Sequence, residues 1–209
     1  MANNLVTLNG KLATALRDAT YAVWTTGEMD DLINWSVSRL WPRQARPILP
    51  SSASITLVAN TTYYNLPSGA LAVSRADWYD ASGNEVGPVS GRHWEIVGDP
   101  FTGAGQLHIA NSLTQSGGTL KLHAYGRYDT TTNLVPDEFV PLVLARARGE
   151  AYRRVGADRA KFSEWLTHNQ LSNMSVNELV ILINEADSET RTLEKQFKTQ
   201  MKPVSGRVG

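Results

Sequence analysis

The chain has 209 residues, of which 42% are hydrophobic and 19% are charged, and its formal net charge is zero. This composition predicts a globular protein with a sizeable core, and it excludes a highly charged disordered chain and a globally basic nucleic-acid binder. The sequence contains no cysteine, which excludes disulfides and thiolate zinc sites. We expect no signal peptide, because no basic segment precedes an apolar run at the N-terminus. We also expect no membrane span, because the apolar runs are only a few residues long.

Two amphipathic helices are predicted in the first 50 residues. Four leucines recur at helical spacing across residues 4–18: Leu5, Leu8, Leu12 and Leu16. A second helix should begin with Thr26 or Gly27 as its cap and end at Pro42. Pro47 then predicts a stiff, extended exit from the helical region.

The pattern changes at residue 51 to short β-branched and aromatic runs separated by turn residues. The predicted strands are 54–59, 61–66, 71–79, 85–89, 92–97, 106–110 and 119–128. A turn at Asn60 should join the first two strands, and residues 80–84 are a strong hairpin signal. This series predicts an antiparallel sheet or a small sandwich.

Consecutive helices are predicted again from residue 136 to residue 202. The first should begin near residues 138–139 and end with Gly156 in the left-handed position that follows many helices. Asp158 should cap the next helix. Ser175 and Glu178 have the spacing of a capping box, which predicts a new helix starting near Val176.

The apolar face of this last helix narrows after Ala186 while the helix continues. Such a narrow seam is typical of a helix that protrudes or packs on another subunit. We therefore predict an α+β fold with a helical bundle core formed by residues 1–50 and 136–202. An antiparallel β domain, 51–128, is inserted into it, and 203–209 form a flexible C-terminal tail.

Candidate chemistry in the sequence is sparse. It contains no Walker loop, no dinucleotide-binding glycine fingerprint and no nucleophile elbow. His93, His108 and His123 lie in predicted strands and could meet as metal ligands, and His93 and Glu95 would share a strand face. Histidines that bind no metal and stand alone on half-exposed strands are commoner than histidine ligands. His168, the fourth histidine, lies on a predicted helix. We predict no catalytic, cofactor or metal site.

Two further sets of β-domain residues have competing interpretations. Paired carboxylates across a groove would suit a glycosidase, but turn and surface roles explain the available ones equally well: Asp77, Asp80, Glu85, Glu95 and Asp99. The aromatic residues could stack on sugars or bases, but aromatics also fill small β cores, and we favour that interpretation.

A row of basic residues lies on the last predicted helix. Arg191, Lys195, Lys198 and Lys202 are separated by four, three and four residues, and Arg207 follows. The helix pairs Asp187–Arg191 and Glu194–Lys198 should neutralise part of it. The row is either an ordinary solvated face or a surface that docks a partner or lines DNA by neutralising phosphates.

Four segments carry a resemblance to a known family: LINWSVSRLWP (32–42), WYDASGNEV (78–86), LKLHAYGRYDTTTNLVPDEF (120–139) and LVLARARGEAYRRVGADRAKFSEWL (142–166). Their layout resembles head-to-tail adaptor proteins of tailed bacteriophages, also called connector or head-completion proteins. The resemblance implies a structural, non-enzymatic virion protein that is made in the host cytoplasm. It would form a homo-oligomeric ring, commonly of twelve copies, and would need no cofactor.

The same resemblance implies partners. The ring would join the portal protein ring to tail or nozzle proteins, and genomic DNA would pass through its channel. Arg191 and Lys195 would line that channel. The expected contacts to the portal or a neighbouring ring are Leu193, Phe197, Lys198, Met201, Lys202 and Arg207.

Two alternatives stay open at this point. The chain could be an oligomeric binding module whose β domain recognises carbohydrate or a host surface. It could also be a hydrolase that uses His93 or the β-domain carboxylates.

Overall fold

The computed structural model describes residues 2–114, 117–169, 171 and 175–197. These residues form two compact units. The first unit combines the residues up to Trp41 with those from Tyr128 to Phe197, and the second spans Pro42–Arg127. Within the described ranges, no helix has both the length and the apolar character needed to cross a membrane.

The elements follow one another in a mixed order. The strands are β1 (Ala2–Asn3), β2 (Arg46–Ile48), β3 (Ser54–Thr56), β4 (Tyr63–Asn65), β5 (Ala72–Tyr79), β6 (Glu85–Pro88), β7 (Trp94–Val97), β8 (Gln106–Ile109), β9 (Thr119–Gly126) and β10 (Val135–Pro136). The α-helices are α1 (Leu5–Ala15), α2 (Thr26–Ser38), α3 (Asn111–Thr114), α4 (Val140–Ala157), α5 (Arg159–His168) and α6 (Val176–Gln196). A 3₁₀ turn, Asp137–Phe139, leads into α4.

The first unit is a helical bundle with one apolar core. Apolar side chains of α1, α2, α4, α5 and α6, and of the segments that lead into α2 and α4, converge there. Among them are Leu8, Leu12, Trp24, Met29, Phe139, Val143, Trp165 and Leu179. A buried hydrogen bond of 2.7 Å from Ser36 Oγ to the carbonyl oxygen of Val143 joins α2 to α4. The predicted helical bundle is therefore confirmed.

Helix starts in this unit follow local capping rules. The Ser175 capping box is confirmed, since its hydroxyl accepts from Glu178 N–H and the Glu178 carboxylate accepts from Ser175 N–H. The prediction placed the N-cap of α2 one or two residues too far along the chain, because Thr25 rather than Thr26 or Gly27 makes the cap. The Asp158 cap of α5 is confirmed, with its carboxylate accepting from two backbone N–H groups of the first turn.

The prediction for Gly156 was wrong. Gly156 is helical, and α4 continues to Ala157. A side chain at this position would place its Cβ 3.2 Å from Leu179 Cδ2. The glycine therefore permits the close approach of α6 and does not end the helix.

The second unit contains two antiparallel sheets. One has the order β2–β9–β5–β6, with β3 also paired to β9, and the other has the order β4–β8–β7. Buried residues from both sheets form one core cluster, as in a small sandwich. Together with the helical unit, this confirms the predicted α+β fold.

One predicted hairpin is present and another is absent among the described strands. The β5–β6 hairpin is confirmed, and the Asp80 carboxylate accepts from the N–H groups of Ser82 and Asn84 in its turn. Asn60 does adopt a positive φ of 63°. The strands on either side of it belong to different sheets, however, because β3 pairs with β9 and β4 with β8.

The division into a helical domain, 1–50 and 136–202, and an inserted β domain, 51–128, stays a prediction. Strand β2, which lies within the segment assigned by that prediction to the helical domain, pairs with β9 in the second unit. The predicted tail, 203–209, and the end of the last predicted helix, 198–202, lie outside the described residues.

Candidate assembly surface on the C-terminal helix

Helix α6 runs antiparallel along α4 at close range. Gly149 lies opposite Ala186, where an added Cβ would be 3.4 Å from the Ala186 Cβ. One end of the contact is Gly156 against Leu179. Leu179 and Ala186 are the buried residues of α6, so this packing depends on small residues of α4 that let the backbones approach.

Three ion pairs flank this apolar contact. Each joins an arginine of α4 to a carboxylate of α6, in the antiparallel order Arg153–Asp187, Arg148–Glu189 and Arg146–Glu194. The Arg146 side chain is only 9% exposed, and its Nη2 lies 2.6 Å from Glu194 Oε1. Charged hydrogen bonds of this kind orient the two helices as well as attracting them.

This arrangement corrects the predicted pair within α6. Asp187 pairs with Arg153 and not with Arg191. In the part of the chain that the structure describes, Arg191 and Lys195 are exposed and form no ion pair. The predicted partner of Glu194, Lys198, lies outside the described residues.

The side of α6 that faces away from α4 carries no acidic residue between Val176 and Gln196, the described bounds of the helix. Successive residues turn by about 100° around a helix, which places one set of exposed residues on the side opposite Leu179 and Ala186. This set, called here the outer face of α6, is Asn177, Ile181, Asn184, Ser188, Arg191, Thr192 and Lys195. The carboxylates of α6 lie on its two flanks, where three of them meet the α4 arginines. The outer face is therefore polar, with Arg191 and Lys195 as its charges and Ile181 as an exposed apolar residue.

The residues predicted to contact a partner divide into two groups. Leu193 and Phe197 are half-buried and pack against the core of their own unit, with the Phe197 ring 4.9 Å from the Phe139 ring in an edge-on arrangement. Lys198, Met201, Lys202 and Arg207 lie outside the described residues. The assignment of these residues to a partner stays a prediction.

The histidines have other neighbours than the sequence suggested. His93 precedes β7 in a bend, and Glu95 pairs with His108 at 3.1 Å instead. His108 also stacks on Tyr63, with ring centroids 4.6 Å apart. His168 lies 3.4 Å from the buried carboxylate of Asp18. Among the described residues, no three histidines, aspartates or glutamates are grouped as metal ligands.

The β-unit carboxylates serve local structure. Asp77 is buried and accepts from Arg75 Nε at 2.6 Å and bonds His123 Nε2 at 2.8 Å. Burial raises the pKa of Asp77, but these two hydrogen bonds outweigh it and hold the pKa below its ordinary value. Asp80 organises the β5–β6 turn, and the Asp99 carboxylate accepts from Phe101 N–H at 2.9 Å.

Several aromatic residues of the β unit are also held by their own chain. Trp94 is buried, and Trp78 Nε1 donates to the Gly117 carbonyl oxygen at 3.0 Å. Lys121 Nζ lies 3.7 Å above the ring centre of Tyr79. Tyr63, at 52% exposure, is the most accessible of these four aromatic residues.

Comparison with known families identifies the chain. Residues 3–178 match the family described as SU10 adaptor protein. Because the match covers most of the sequence, the chain belongs to this family of adaptor proteins. This membership confirms the resemblance to head-to-tail adaptors that the sequence indicated.

Solved structures give weaker likenesses. A chain in the neck of an empty GTA particle, computed with C6 symmetry, is 15% identical with a TM-score of 0.33, over 95% of this chain and 92% of that chain. A chain in the neck of a native GTA particle, computed with C12 symmetry, is 15% identical with a TM-score of 0.28, over 99% of both chains. A chain in the virion of a native gene transfer agent particle is 14% identical with a TM-score of 0.26, over 88% of this chain and 82% of that chain. Comparison with curated proteins gives no match.

Proposed function

We propose that the chain is a structural, non-enzymatic virion protein that forms a ring between the portal and the tail. Membership of the SU10 adaptor protein family supports the adaptor role. The resemblance to head-to-tail adaptors implies twelve copies, with the portal ring on one side and tail or nozzle proteins on the other. Genomic DNA would pass through the channel of this ring.

The observation that carries the proposed DNA contact is the outer face of α6. Its two cations, Arg191 and Lys195, form no ion pair within the described residues, and the neighbouring carboxylates are engaged by α4. Unpaired cations neutralise phosphates and release counterions, which gives binding without sequence preference. Amide and hydroxyl groups on the same face can donate to phosphate oxygens. Such a surface suits DNA that must slide past.

The contact to the portal is proposed for the segment that begins at the end of α6. Leu193 and Phe197 hold the end of the helix on its own core. Lys198, Met201, Lys202 and Arg207 follow within ten residues of Phe197 and combine basic with apolar character. We propose that the first two residues anchor the segment while the other four contact the portal or a neighbouring ring.

A binding experiment tests the DNA contact. The double variant Arg191→Gln, Lys195→Gln should bind duplex DNA more weakly than the original chain. The slope of log K against log salt should become shallower by about 0.9 for each phosphate that the variant no longer neutralises. A matched control is the variant Arg92→Gln, Arg159→Gln, which removes two exposed arginines that are not part of α6. Equal weakening in both variants, or in neither, would show that the outer face of α6 is not the DNA surface.

A mass measurement tests the portal contact. The full-length chain should form a complex when mixed with a portal ring, and charge reversal at Lys198 and Lys202 should weaken that complex. Charge reversal at Arg92 and Arg159 should leave it intact. Failure of the original chain to associate with the portal at any salt concentration would refute the proposal.

A further inference from the structure

We propose that Arg153 is a positioning residue for the DNA contact, because its ion pair with Asp187 keeps Arg191 available to phosphate. The proposal rests on the proposed DNA-lining function of α6. It assigns Arg153 an indirect role, since the guanidinium acts on Asp187 and not on DNA.

Helix geometry makes Asp187 the natural partner of Arg191. The two residues are four apart with the acidic residue first, the spacing and order that favour an ion pair on one helix. Their Cβ atoms are then about 5–6 Å apart. An isolated α6 would therefore neutralise its own Arg191.

The packing of α6 on α4 provides a competing partner. Arg153 Nη2 bonds Asp187 Oδ1, and Arg153 Nη1 also lies 3.6 Å from Glu150 Oε2. Arg191 is exposed and has no ion-pair partner among the described residues. The carboxylate of Asp187 is thus directed across to α4, away from the cation on its own helix.

The ion pair lies beside Gly149 of α4. An added Cβ at Gly149 would lie 3.5 Å from Asp187 Oδ1 and 3.7 Å from Arg153 Nη1. The same glycine is opposite Ala186, the central apolar contact of the two helices. The pair therefore borders the apolar contact of the two helices, and the packing of α6 on α4 brings Arg153 and Asp187 together.

Without Arg153, the carboxylate of Asp187 is free to pair with Arg191. It then competes with DNA phosphate for that guanidinium. An exposed helix pair of this spacing shifts an equilibrium by about twofold. DNA affinity should fall by about that factor for each Arg191 in contact with the duplex. The factors multiply where one duplex contacts several copies of the chain.

The test compares Arg153→Gln, Asp187→Asn and the double variant by DNA titration over a range of salt concentrations. Arg153→Gln should bind more weakly, Asp187→Asn should not weaken binding, and the double variant should recover the original affinity. Recovery is the expected result, because the double variant removes both the competing carboxylate and the guanidinium that holds it. The decisive comparison is the Arg191→Gln background, where the loss of a direct phosphate contact of Arg153 would persist and the loss of its positioning role would not. A weak double variant, or a single Arg153→Gln variant with full affinity, would overturn the proposal.

Further variants separate this inference from the proposed function. In an Arg191→Gln background, the change Arg153→Gln should have no additional effect on affinity, and a further decrease would contradict the proposal. If Arg191→Gln weakens binding while Arg153→Gln does not, only the positioning role fails. If Arg191→Gln, Lys195→Gln has full affinity, the DNA-lining function itself fails. Arg153→Lys, which keeps the charge, should behave like the original chain and controls for side-chain packing.

Discussion

Replacing Glu194 by Gln is expected to loosen the end of α6 from α4. The change would leave the guanidinium of Arg146, only 9% exposed, without its carboxylate. Its Nη1 atom already lacks a hydrogen-bond partner among the described residues. Removing one partner of a fully buried pair costs about 3–5 kcal/mol. Glu194 is 25% exposed and Gln keeps an acceptor, so we expect a cost of about 2 kcal/mol.

Hydrogen exchange measured on peptides from α6 reports this loss of stability in the helix itself. A destabilisation of about 2 kcal/mol should speed exchange through local opening by about 30-fold. The matched control is Glu185→Gln, an exposed carboxylate on the same helix without an ion pair among the described residues. It should change opening by less than about 0.5 kcal/mol.

The double variant Arg146→Met, Glu194→Gln should recover part of the stability, because it removes the buried charge. Equal exchange rates in Glu194→Gln and Glu185→Gln would refute the reasoning. That result would mean that the pair contributes no net stability and that apolar packing alone holds α6.

Three more predictions concern stability. Asp77→Asn should lower the free energy of unfolding near pH 6, and the difference from the original chain should vanish in acid. Urea unfolding at several pH values between 6 and 2 measures this difference. Because hydrogen bonding holds the pKa of Asp77 below its ordinary value despite burial, its contribution is present above the unfolded pKa and disappears as pH falls through the folded one. Gly149→Leu should lower the thermal midpoint by overpacking against Ala186, at a cost of about 1–3 kcal/mol, whereas Gly149→Ala should not. Asp18→Ala should cost about 3 kcal/mol in urea unfolding, because the buried carboxylate accepts from three consecutive backbone N–H groups.

Each of these has a clear contrary result. A pH-independent effect of Asp77→Asn would mean that the carboxylate contributes nothing through its charge. Equal thermal midpoints for Gly149→Leu and Gly149→Ala would show that α6 can shift to accommodate the larger side chain with no loss of stability. A small effect of Asp18→Ala would show that other acceptors replace the carboxylate in the loop after α1.

Much of the local structure followed from the sequence. The Ser175 capping box, the Asp158 cap and the β5–β6 turn at Asp80 all depend on hydrogen bonds that span at most four residues. Helices α4 and α6 were also expected near their observed bounds, because their apolar periodicity is long. The signal for Thr25 was present too, since Glu28 lies three residues after it, but the neighbouring Thr26 and Gly27 are also acceptable caps.

The pairing of the strands was harder to predict from the sequence than the strands themselves. The pattern on either side of Asn60 predicts two strands and a turn, and both strands exist. Their partners, β9 and β8, come from later in the chain. Short strands of similar composition can pair in many ways, and burial of the common core selects among them.

The sequence by itself determined the α+β class, the caps at Asp158 and Ser175 and the basic character of the last helix. Only the tertiary structure decided that Gly156 admits Leu179 and that Asp187 pairs with Arg153 rather than Arg191. The physical reason is that an ion pair forms with whichever partner packing brings closest. The arginines of α4 are 34 to 48 residues away from their carboxylates in sequence, so no local pattern reveals them.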